Sequence, residues 1–176
     1  MDPPALTEFQ RDVTLRDGAR VRVRPIQPDD APRLVALYDR LSRHTAYQRF
    51  FTVMRRLPPD WARFLATVDY RTRFALVVEH PLGGDDLIAV ARYEPAGAPD
   101  TAEVAFVVQD GWQNRGLGSI LLRDLLRAAR ANGISKFRAW VLADNSRMLD
   151  LLARNTHVLE RRYEAGVVDL LFGPTA

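Results

Sequence analysis

The sequence predicts an α/β (α+β) fold in which a mixed β-sheet has helices on both of its faces. Apolar strand-like runs alternate with amphipathic helical patterns along most of the chain. The favoured turn pair Asp17-Gly18 joins two strands near the start. Neither a repeat nor a linker divides the 176 residues. We therefore expect residues 13–176 to form one domain, preceded by a flexible segment over residues 1–12.

The start of the chain has signals for a hairpin and a helix. Strands are predicted over residues 13–15 and 20–24, the second alternating valine with arginine. Asp29 or Asp30 can cap the helix that follows, and Pro32 lies in its first turn. The apolar stripe of this helix consists of Leu34, Leu37, Tyr38 and Leu41.

Two further helical segments are predicted before the next strand. The stretch over residues 45–54 is aromatic and basic, and we expect it to be partly helical. The residues Pro58-Pro59-Asp60 are typical of a helix start. The apolar residues of the helix that begins there are Trp61, Phe64, Leu65 and Val68.

Strands and helices alternate in the second half of the chain. Antiparallel strands are predicted over residues 74–79 and 87–93, with a turn at residues 83–86 between them and a loop at residues 95–100 after them. The remaining predictions are a strand over 102–108, a helix over 119–131 with Gly133 as its C-cap, a strand over 137–142, a helix over 146–154, and strands over 158–163 and 167–172.

The segment Asp110-Gly-Trp-Gln-Asn-Arg-Gly-Leu-Gly-Ser119 is the most informative part of the sequence. It joins an apolar strand to a strong helix pattern, so the free N–H groups of the first helical turn can point at an anion. Gly116 and Gly118 allow the backbone to approach a ligand closely, and Arg115 adds a permanent cation. This arrangement indicates a ligand that carries phosphate.

Two phosphate-binding motifs can be excluded at this loop. A nucleotide P-loop needs lysine and then serine or threonine after its second glycine, where this chain has Leu117 and Gly118. A dinucleotide fingerprint needs a third glycine where this chain has Leu121. The pattern that remains, Gln113-x-x-Gly116-x-Gly118, is compatible with an ordinary tight turn as well as with a ligand loop.

The wider sequence resembles the GNAT superfamily of N-acetyltransferases, whose acetyl-CoA loop has the pattern Q/R-x-x-G-x-G/A. The segments 102–132 and 141–148 are similar to the GNAT core motif and to the strand and helix start that follow it. The segments 41–51 and 160–167 resemble the bacterial protein lysine acetyltransferases of the Pat type. The resemblance covers residues 13–172 and implies a mostly antiparallel sheet in which one pair of strands splays apart.

The resemblance also implies a binding site for acetyl-CoA as co-substrate. The backbone of Phe106, Val107 and Val108 is expected to line the pantetheine arm, while the N–H groups of residues 114–119 hold the pyrophosphate. The side chains of the three strand residues can equally belong to the core. The residues expected to bind the cofactor are Phe106, Val107, Val108, Gln113, Asn114, Arg115, Gly116, Leu117, Gly118, Ser119 and Asn145.

Glu103 is the candidate general base. An amine must lose a proton before it attacks a thioester, because the reference pKa of lysine is about 10.4. Glu103 lies in an apolar strand and shares a face with Ala105 and Val107, and partial burial would raise its pKa. The residues alone favour the interpretation that Glu103 marks the solvent end of that strand. The resemblance implies the general base, because the matching glutamate of the Pat-type enzymes has that role. Glu94 and Asp110 are weaker candidates.

The acceptor side and the general acid are less well defined by the sequence. The resemblance implies that Tyr47, Arg49 and Phe51 help to bind the acceptor. Asn155 and Thr156 stand where Pat-type chains have tyrosine and glycine, so no general acid is assigned. We expect acetyl transfer to a primary amine, most simply that of a protein lysine such as one in an acyl-CoA synthetase. The alternatives are a small amine, amino acid or antibiotic as acceptor, and a non-catalytic acyl-CoA-binding module.

Composition narrows the remaining function classes. The chain has no cysteine, which excludes a thiolate nucleophile, and its 3 histidines lack metal-ligand spacing, so no metal is expected. The net charge is +3, yet the arginines are interspersed with acids, so we expect no nucleic-acid partner. No signal peptide and no stretch of about 20 apolar residues is present. These features predict a cytoplasmic monomer or weak dimer that does not bind a membrane.

Overall fold

The computed structural model describes residues 5–82 and 86–175, and these residues build one eight-stranded sheet. The order of strands across the sheet is β1-β2-β3-β4-β5-β6-β8-β7, and every neighbouring pair is antiparallel except β5 and β6. The strands are β1 Arg11–Thr14, β2 Arg20–Pro25, β3 Phe74–Glu79, β4 Leu87–Ala96, β5 Ala98–Val108, β6 Lys136–Leu142, β7 Thr156–Glu164 and β8 Val167–Pro174.

Five α-helices of the described chain cover the two faces of this sheet, which confirms the predicted fold class. One apolar cluster contains the buried residues of α4 and α5, and a second cluster on the other face contains those of α1, α2 and α3. The helices are α1 Ala31–Arg40, α2 Arg43–Phe50, α3 Pro59–Ala66, α4 Leu117–Ala131 and α5 Ser146–Asn155, and short 3₁₀ turns occupy Leu6–Phe9, Pro28–Asp30 and Asp110–Trp112.

Strand β5 divides its side chains between these two cores. Ala102, Val104 and Phe106 are buried in the cluster that contains α4. Val107 packs against the cluster beneath α1, α2 and α3. Because side chains alternate along a strand, Glu103 faces the same side as Val107, as the sequence predicts.

The parallel pair β5 and β6 is joined over only a short length. The paired residues are Thr101 with Lys136, Ala102 with Phe137, and Glu103 with Arg138. Beyond this point β6 continues to pair with β8 as far as Leu142, and β5 continues to pair with β4 as far as Val108. The two strands therefore diverge after Glu103, which is the splayed arrangement that the family resemblance implies.

The start of the chain is more ordered than the sequence predicts. A flexible segment was expected over residues 1–12, but residues 5–12 form a 3₁₀ turn and the beginning of β1; residues 1–4 lie outside the described residues. Phe9 is only 1% exposed, and its ring packs edge to face on Phe74 with a centroid distance of 5.3 Å. A single buried aromatic residue thus holds the segment on the sheet, a contact that local sequence does not reveal.

Several strands and helices begin or end at residues other than those predicted from the sequence. The expected loop over residues 95–100 is wrong, because β4 and β5 continue into a tight hairpin around Gly97. Helix α4 begins at Leu117 rather than Ser119, and Leu41 and Val68 lie beyond the ends of their helices. Strand pairing and helix packing therefore move the ends of elements, in either direction, from the points that residue preferences predict. Of the predicted turn at residues 83–86, residues 83–85 lie outside the described residues.

Asp30 does not cap α1 with its side chain. It is fully buried, accepts hydrogen bonds from both terminal nitrogens of Arg24 at 2.8 Å, and accepts another from the backbone N–H of Gln27 at 2.7 Å. Burial opposes its ionisation, but the hydrogen bonds from Arg24 and Gln27 lower the pKa of Asp30. The acid therefore joins β2 to the start of α1 instead of capping the helix.

We expect Phe9→Ala to lower the free energy of unfolding by about 3 kcal/mol, because truncating a buried phenylalanine removes apolar contact and leaves a cavity. Chemical denaturation of the purified protein measures this change. Phe64→Ala is the matched control, since Phe64 is 56% exposed and its truncation should cost much less. Equal stability of Phe9→Ala and the unmodified chain would show that the first residues are not part of the core.

Candidate active site

A cleft of about 930 Å³ opens where β5 and β6 separate. One wall is formed by residues 103–108 of β5 and the other by residues 139–141 of β6. The lining also includes residues 112–114 and 116–119 of the loop before α4, the first turns of α5, residues of α2, and Trp61 of α3. The splay of the sheet therefore creates a binding site large enough for an extended small molecule.

The loop before α4 presents backbone donors to this cleft. Gly116 is the N-cap of α4 with φ of 93°, a left-handed conformation that favours glycine, and no side chain caps the helix there. The N–H groups of Leu117, Gly118 and Ser119 have no acceptor inside the helix, because the i to i−4 pattern starts only after them. The N-terminus of a fifteen-residue helix thus faces the cleft with free donors, which favours an anion.

Gly118 allows α4 and α5 to approach each other. A Cβ atom added there would stand 3.1 Å from a methyl carbon of Leu151, which itself lines the cleft. Any side chain at position 118 must therefore displace Leu151 or shift the first turn of α4. The second glycine of the motif has a packing role in this chain as well as its place in the anion-binding turn.

The side chain of Gln113 holds the loop in place through hydrogen bonds to three other residues. Its amide nitrogen donates to the carbonyl oxygen of Val108 at 3.0 Å and to the hydroxyl of Thr45 at 3.2 Å. Its amide oxygen accepts a hydrogen bond from Arg147 at the start of α5. Gln113 therefore links the end of β5 to α2 and α5, so its side-chain groups are already engaged by protein.

Asp110 fastens the same loop to the start of α2. Its carboxylate accepts hydrogen bonds from the backbone N–H of Ser42 at 3.0 Å, from the hydroxyl of Ser42 at 2.7 Å and from the hydroxyl of Thr45 at 2.9 Å. Burial acts in the opposite direction, yet these hydrogen bonds lower the pKa of Asp110. The residue shapes the loop and is poorly suited to accept a proton.

Glu103 lies at the vertex of the cleft, since it is the last residue of β5 that pairs with β6. Within residues 5–82 and 86–175, its carboxylate has no hydrogen bond and no ion pair. Burial raises the pKa of Glu103; the positive charge of Arg49 opposes this rise, and the negative charge of Glu94 adds to it. Glu103 is thus a half-buried, uncommitted carboxylate with an increased affinity for a proton.

Glu94 lies opposite Glu103 on β4, but its carboxylate is fully engaged. It pairs with Arg73 at 2.6 Å and with Arg92 at 2.8 Å. These guanidinium groups also donate to backbone carbonyls of α3 and the residue after it, at 3.0, 2.9 and 2.7 Å for Phe64, Leu65 and Thr67. The arrangement fixes α3 to the sheet and leaves Glu94 surrounded by cations.

The predicted acceptor residues occupy different positions. Arg49 lines the cleft, and its guanidinium lies 4.6 Å from the centre of the Phe50 ring. Burial, with a contribution from Arg92, lowers the pKa of Arg49 to about 10, so this side chain stays charged at neutral pH. Phe51 also lines the cleft, whereas the side chain of Tyr47 is 43% exposed and lies outside the lining.

Most of the predicted cofactor residues meet in the cleft. The lining residues among them are Phe106, Val107, Val108, Gln113, Asn114, Gly116, Leu117, Gly118, Ser119 and Asn145. Arg115 is not among the lining residues. The side chain of Asn145 accepts a hydrogen bond from the N–H of Met148 at 3.3 Å, so it also caps α5. Their roles toward a ligand stay predictions.

The cleft also contains residues that sequence reasoning missed. Arg16 reaches it from the β1–β2 turn, Arg147 and Asp150 from α5, and Trp140 from β6. No pattern in the sequence indicates that these residues approach the loop, because the three elements that supply them are far from it or from one another in the chain. Asn155 also lines the cleft, while its side chain donates to the carbonyl oxygen of Leu151 at 2.7 Å.

Neither a metal centre nor a membrane-spanning helix is found in the described part of the chain. No group of three potential ligands among histidine, cysteine, aspartate and glutamate converges within residues 5–82 and 86–175. No helix in those ranges is long and apolar enough to cross a bilayer.

Comparison with known proteins shows the family to which the chain belongs. Residues 36–156 match the model of the acetyltransferase (GNAT) family. Acetyltransferase Pat of Mycolicibacterium smegmatis is 37% identical over 89% of this chain, although the matched part is 46% of that protein. Acetyltransferase PA5475 of Pseudomonas aeruginosa is 30% identical over 78% of this chain and 75% of its own length.

A solved structure shows the same architecture over nearly the whole chain. The crystal structure of the GNAT domain of S. lividans PAT superimposes with a TM-score of 0.85 and 39% sequence identity, covering 98% of this chain and 99% of that one. The chain therefore belongs to the GNAT family of acetyltransferases, which use acetyl-CoA. Within that family it is similar to the Pat-type acetyltransferases.

We expect Gly118→Val to weaken the binding of acetyl-CoA at least tenfold, because the new side chain must displace Leu151 or move the donors at the start of α4. Isothermal titration calorimetry measures the affinity. Gly111→Val is the matched control, since a Cβ atom at Gly111 would meet nothing within 4 Å. Unchanged affinity in a folded Gly118→Val protein would contradict the role given to this turn.

Proposed function

We propose that the chain transfers the acetyl group of acetyl-CoA to the side-chain amine of a protein lysine, with Glu103 as the general base. The observation that supports this most directly is the uncommitted carboxylate of Glu103 at the vertex of the cleft. The pantetheine arm lies between the diverging strands, and the pyrophosphate lies against the N-terminus of α4. This arrangement brings the thioester to the point where β5 and β6 separate.

The proposed reaction is direct transfer without an acyl-enzyme intermediate. Glu103 accepts a proton from the lysine ammonium, directly or through one water molecule, because only the neutral amine can attack. The amine nitrogen then forms a bond to the thioester carbon and gives its second proton to water, and the carbon–sulfur bond breaks. The departing thiolate takes a proton from water, since a thiol pKa lies near 8.5. No side chain is assigned as the general acid.

The environment of Glu103 supports its selection over the other nearby acids. The carboxylates of Glu94 and Asp110 are held by guanidinium groups and by hydrogen bonds, respectively. Protonating either one would disrupt contacts that position α3 or the loop before α4. Glu103 has no such contacts in the described chain, and burial raises its pKa. A module that only binds acyl-CoA has no need of a half-buried carboxylate whose pKa is raised.

A second cavity supports a separate route for the acceptor. It has a volume of about 440 Å³ and lies on the side of the sheet covered by α3. Arg49, Glu103 and Ala105 line both this cavity and the main cleft, so the two meet at the proposed base. An amine that enters through the second cavity would reach Glu103 without passing the bound cofactor.

The surface around this cavity favours a protein as acceptor. Trp61 is 36% exposed and Phe64 is 56% exposed on α3, and each lines one of the two cavities. Exposed aromatic residues at the entrance are typical of surfaces that bind another protein. The similarity to proteins named acetyltransferase Pat, and to the GNAT domain of S. lividans PAT, agrees with this choice.

We expect Glu103→Gln to reduce the rate of acetyl transfer by about 10²- to 10⁴-fold, because glutamine keeps the size of the side chain but cannot accept the proton. The affinity for acetyl-CoA should change little. The raised pKa of Glu103 means that the rate of the unmodified protein falls as the pH drops through that value, above the pKa of an ordinary glutamate. The variant should lose this acidic limb.

Rates measured against pH, with calorimetry of acetyl-CoA binding alongside, test the assignment. Glu164→Gln is the control, because this carboxylate is exposed on β7 and Glu164 is not among the residues that line the cleft. A Glu103→Gln protein that retains both a normal rate and the acidic limb would reject Glu103 as the base.

We expect the purified chain and ¹⁴C-labelled acetyl-CoA to label lysines of a purified acyl-CoA synthetase more efficiently, as kcat/KM, than any member of a panel of small amines and amino acids. Mass spectrometry identifies the modified residue, and the Glu103→Gln protein controls for spontaneous acetylation. A small amine with a higher kcat/KM would replace the protein acceptor in this proposal while leaving the assignment of the donor intact.

A further inference from the structure

The guanidinium of Arg115, the cation that the loop sequence itself supplies, is held outside the cleft. It pairs with Asp17 of the β1–β2 turn at 3.2 Å and lies 4.4 Å from the centre of the Trp112 ring. It is absent from the residues that line the cleft. A contact with a bound phosphate would require Arg115 to leave both partners.

Arg16, the neighbour of Asp17 in the same turn, is one of the residues that line the cleft. A Cβ atom added to Gly116 would stand 3.3 Å from the Nε atom of Arg16, so this guanidinium lies beside the loop. The backbone N–H of Arg16 reaches the carbonyl oxygen of Arg115 at 3.4 Å, so the turn is docked on the loop. Within residues 5–82 and 86–175, the Arg16 side chain has no hydrogen bond and no ion pair.

The β1–β2 turn thus pairs Arg115 with an acid and places another arginine, Arg16, beside the loop. Asp17 neutralises the arginine that the loop supplies, while Arg16 places an unpaired guanidinium beside Gly116 and the free N–H groups at the start of α4. Guanidinium groups bind phosphate oxygens with two parallel hydrogen bonds, which a backbone donor cannot do. A negatively charged group bound at the start of α4 would therefore lie close to the guanidinium of Arg16.

We propose that Arg16, rather than Arg115, is the arginine that binds the pyrophosphate of the acyl-CoA donor. This inference rests on the proposed function, because it assigns a further residue to the same cofactor site. The turn over residues 15–19 is then part of the binding site, although it lies about a hundred residues before the loop in the sequence. Arg115 has a structural role, in which it holds the turn through Asp17.

The experiment is calorimetric titration of the purified full chain with CoA and with 3′-dephospho-CoA. Arg16→Ala should weaken the binding of both ligands by roughly tenfold to a hundredfold, the usual effect of losing a hydrogen-bonded charge partner. Arg16→Lys should retain part of the affinity. Arg20→Ala is the matched control, because Arg20 is exposed on the same hairpin and absent from the cleft lining.

The affinities of the variants for the two ligands decide whether Arg16 binds the pyrophosphate. Equal losses for the two ligands place Arg16 at the pyrophosphate, whereas a loss seen only with CoA places it at the 3′-phosphate and contradicts the proposal. A larger loss in Arg115→Ala than in Arg16→Ala, with the fold intact by circular dichroism, would also overturn it. Failure of the unmodified protein to bind CoA would reject the proposed function itself, a result distinct from normal binding by Arg16→Ala.

Discussion

The separation of β5 from β6 after Glu103 is the constraint on which the rest of the structure depends. A strand edge left without its neighbour exposes backbone donors and acceptors that must find other partners. Both strands can diverge because each remains paired on its other side, β5 with β4 and β6 with β8. The resulting gap exposes backbone groups of β5 to a ligand, and it places Glu103 at the vertex.

The loop before α4 that lines the cleft is held by contacts from three distant parts of the chain. Asp110 binds the start of α2, Gln113 binds Thr45 and Arg147, and Arg115 binds the β1–β2 turn through Asp17. A loop fixed in this way loses little freedom when a ligand binds, so more of the contact energy appears as affinity. The same contacts occupy the side-chain amide of Gln113, the polar side chain of the glycine motif.

Three carboxylates near the cleft differ in function because their surroundings differ. Asp110 accepts hydrogen bonds that lower its pKa, and Glu94 pairs with two arginines. Glu103 is held by neither kind of contact within the described residues, and burial raises its pKa. Residues of similar chemistry are thus divided between structural and proposed catalytic roles by their neighbours, as pKa tuning in enzymes commonly requires.

The sequence alone determined the features that depend on near neighbours. These are the alternation of strands and helices, the glycine turn before α4, and the face of β5 on which Glu103 lies, because periodicity and backbone preference act over a few residues. Only the tertiary structure decided that Phe9 is buried, that β4 and β5 extend into one hairpin, and that Arg16 instead of Arg115 faces the cleft. The burial of Phe9 and the position of Arg16 depend on contacts between residues far apart in the chain, for which local patterns contain no signal. The hairpin depends on strand pairing, which overrides the local preference of its residues for a loop.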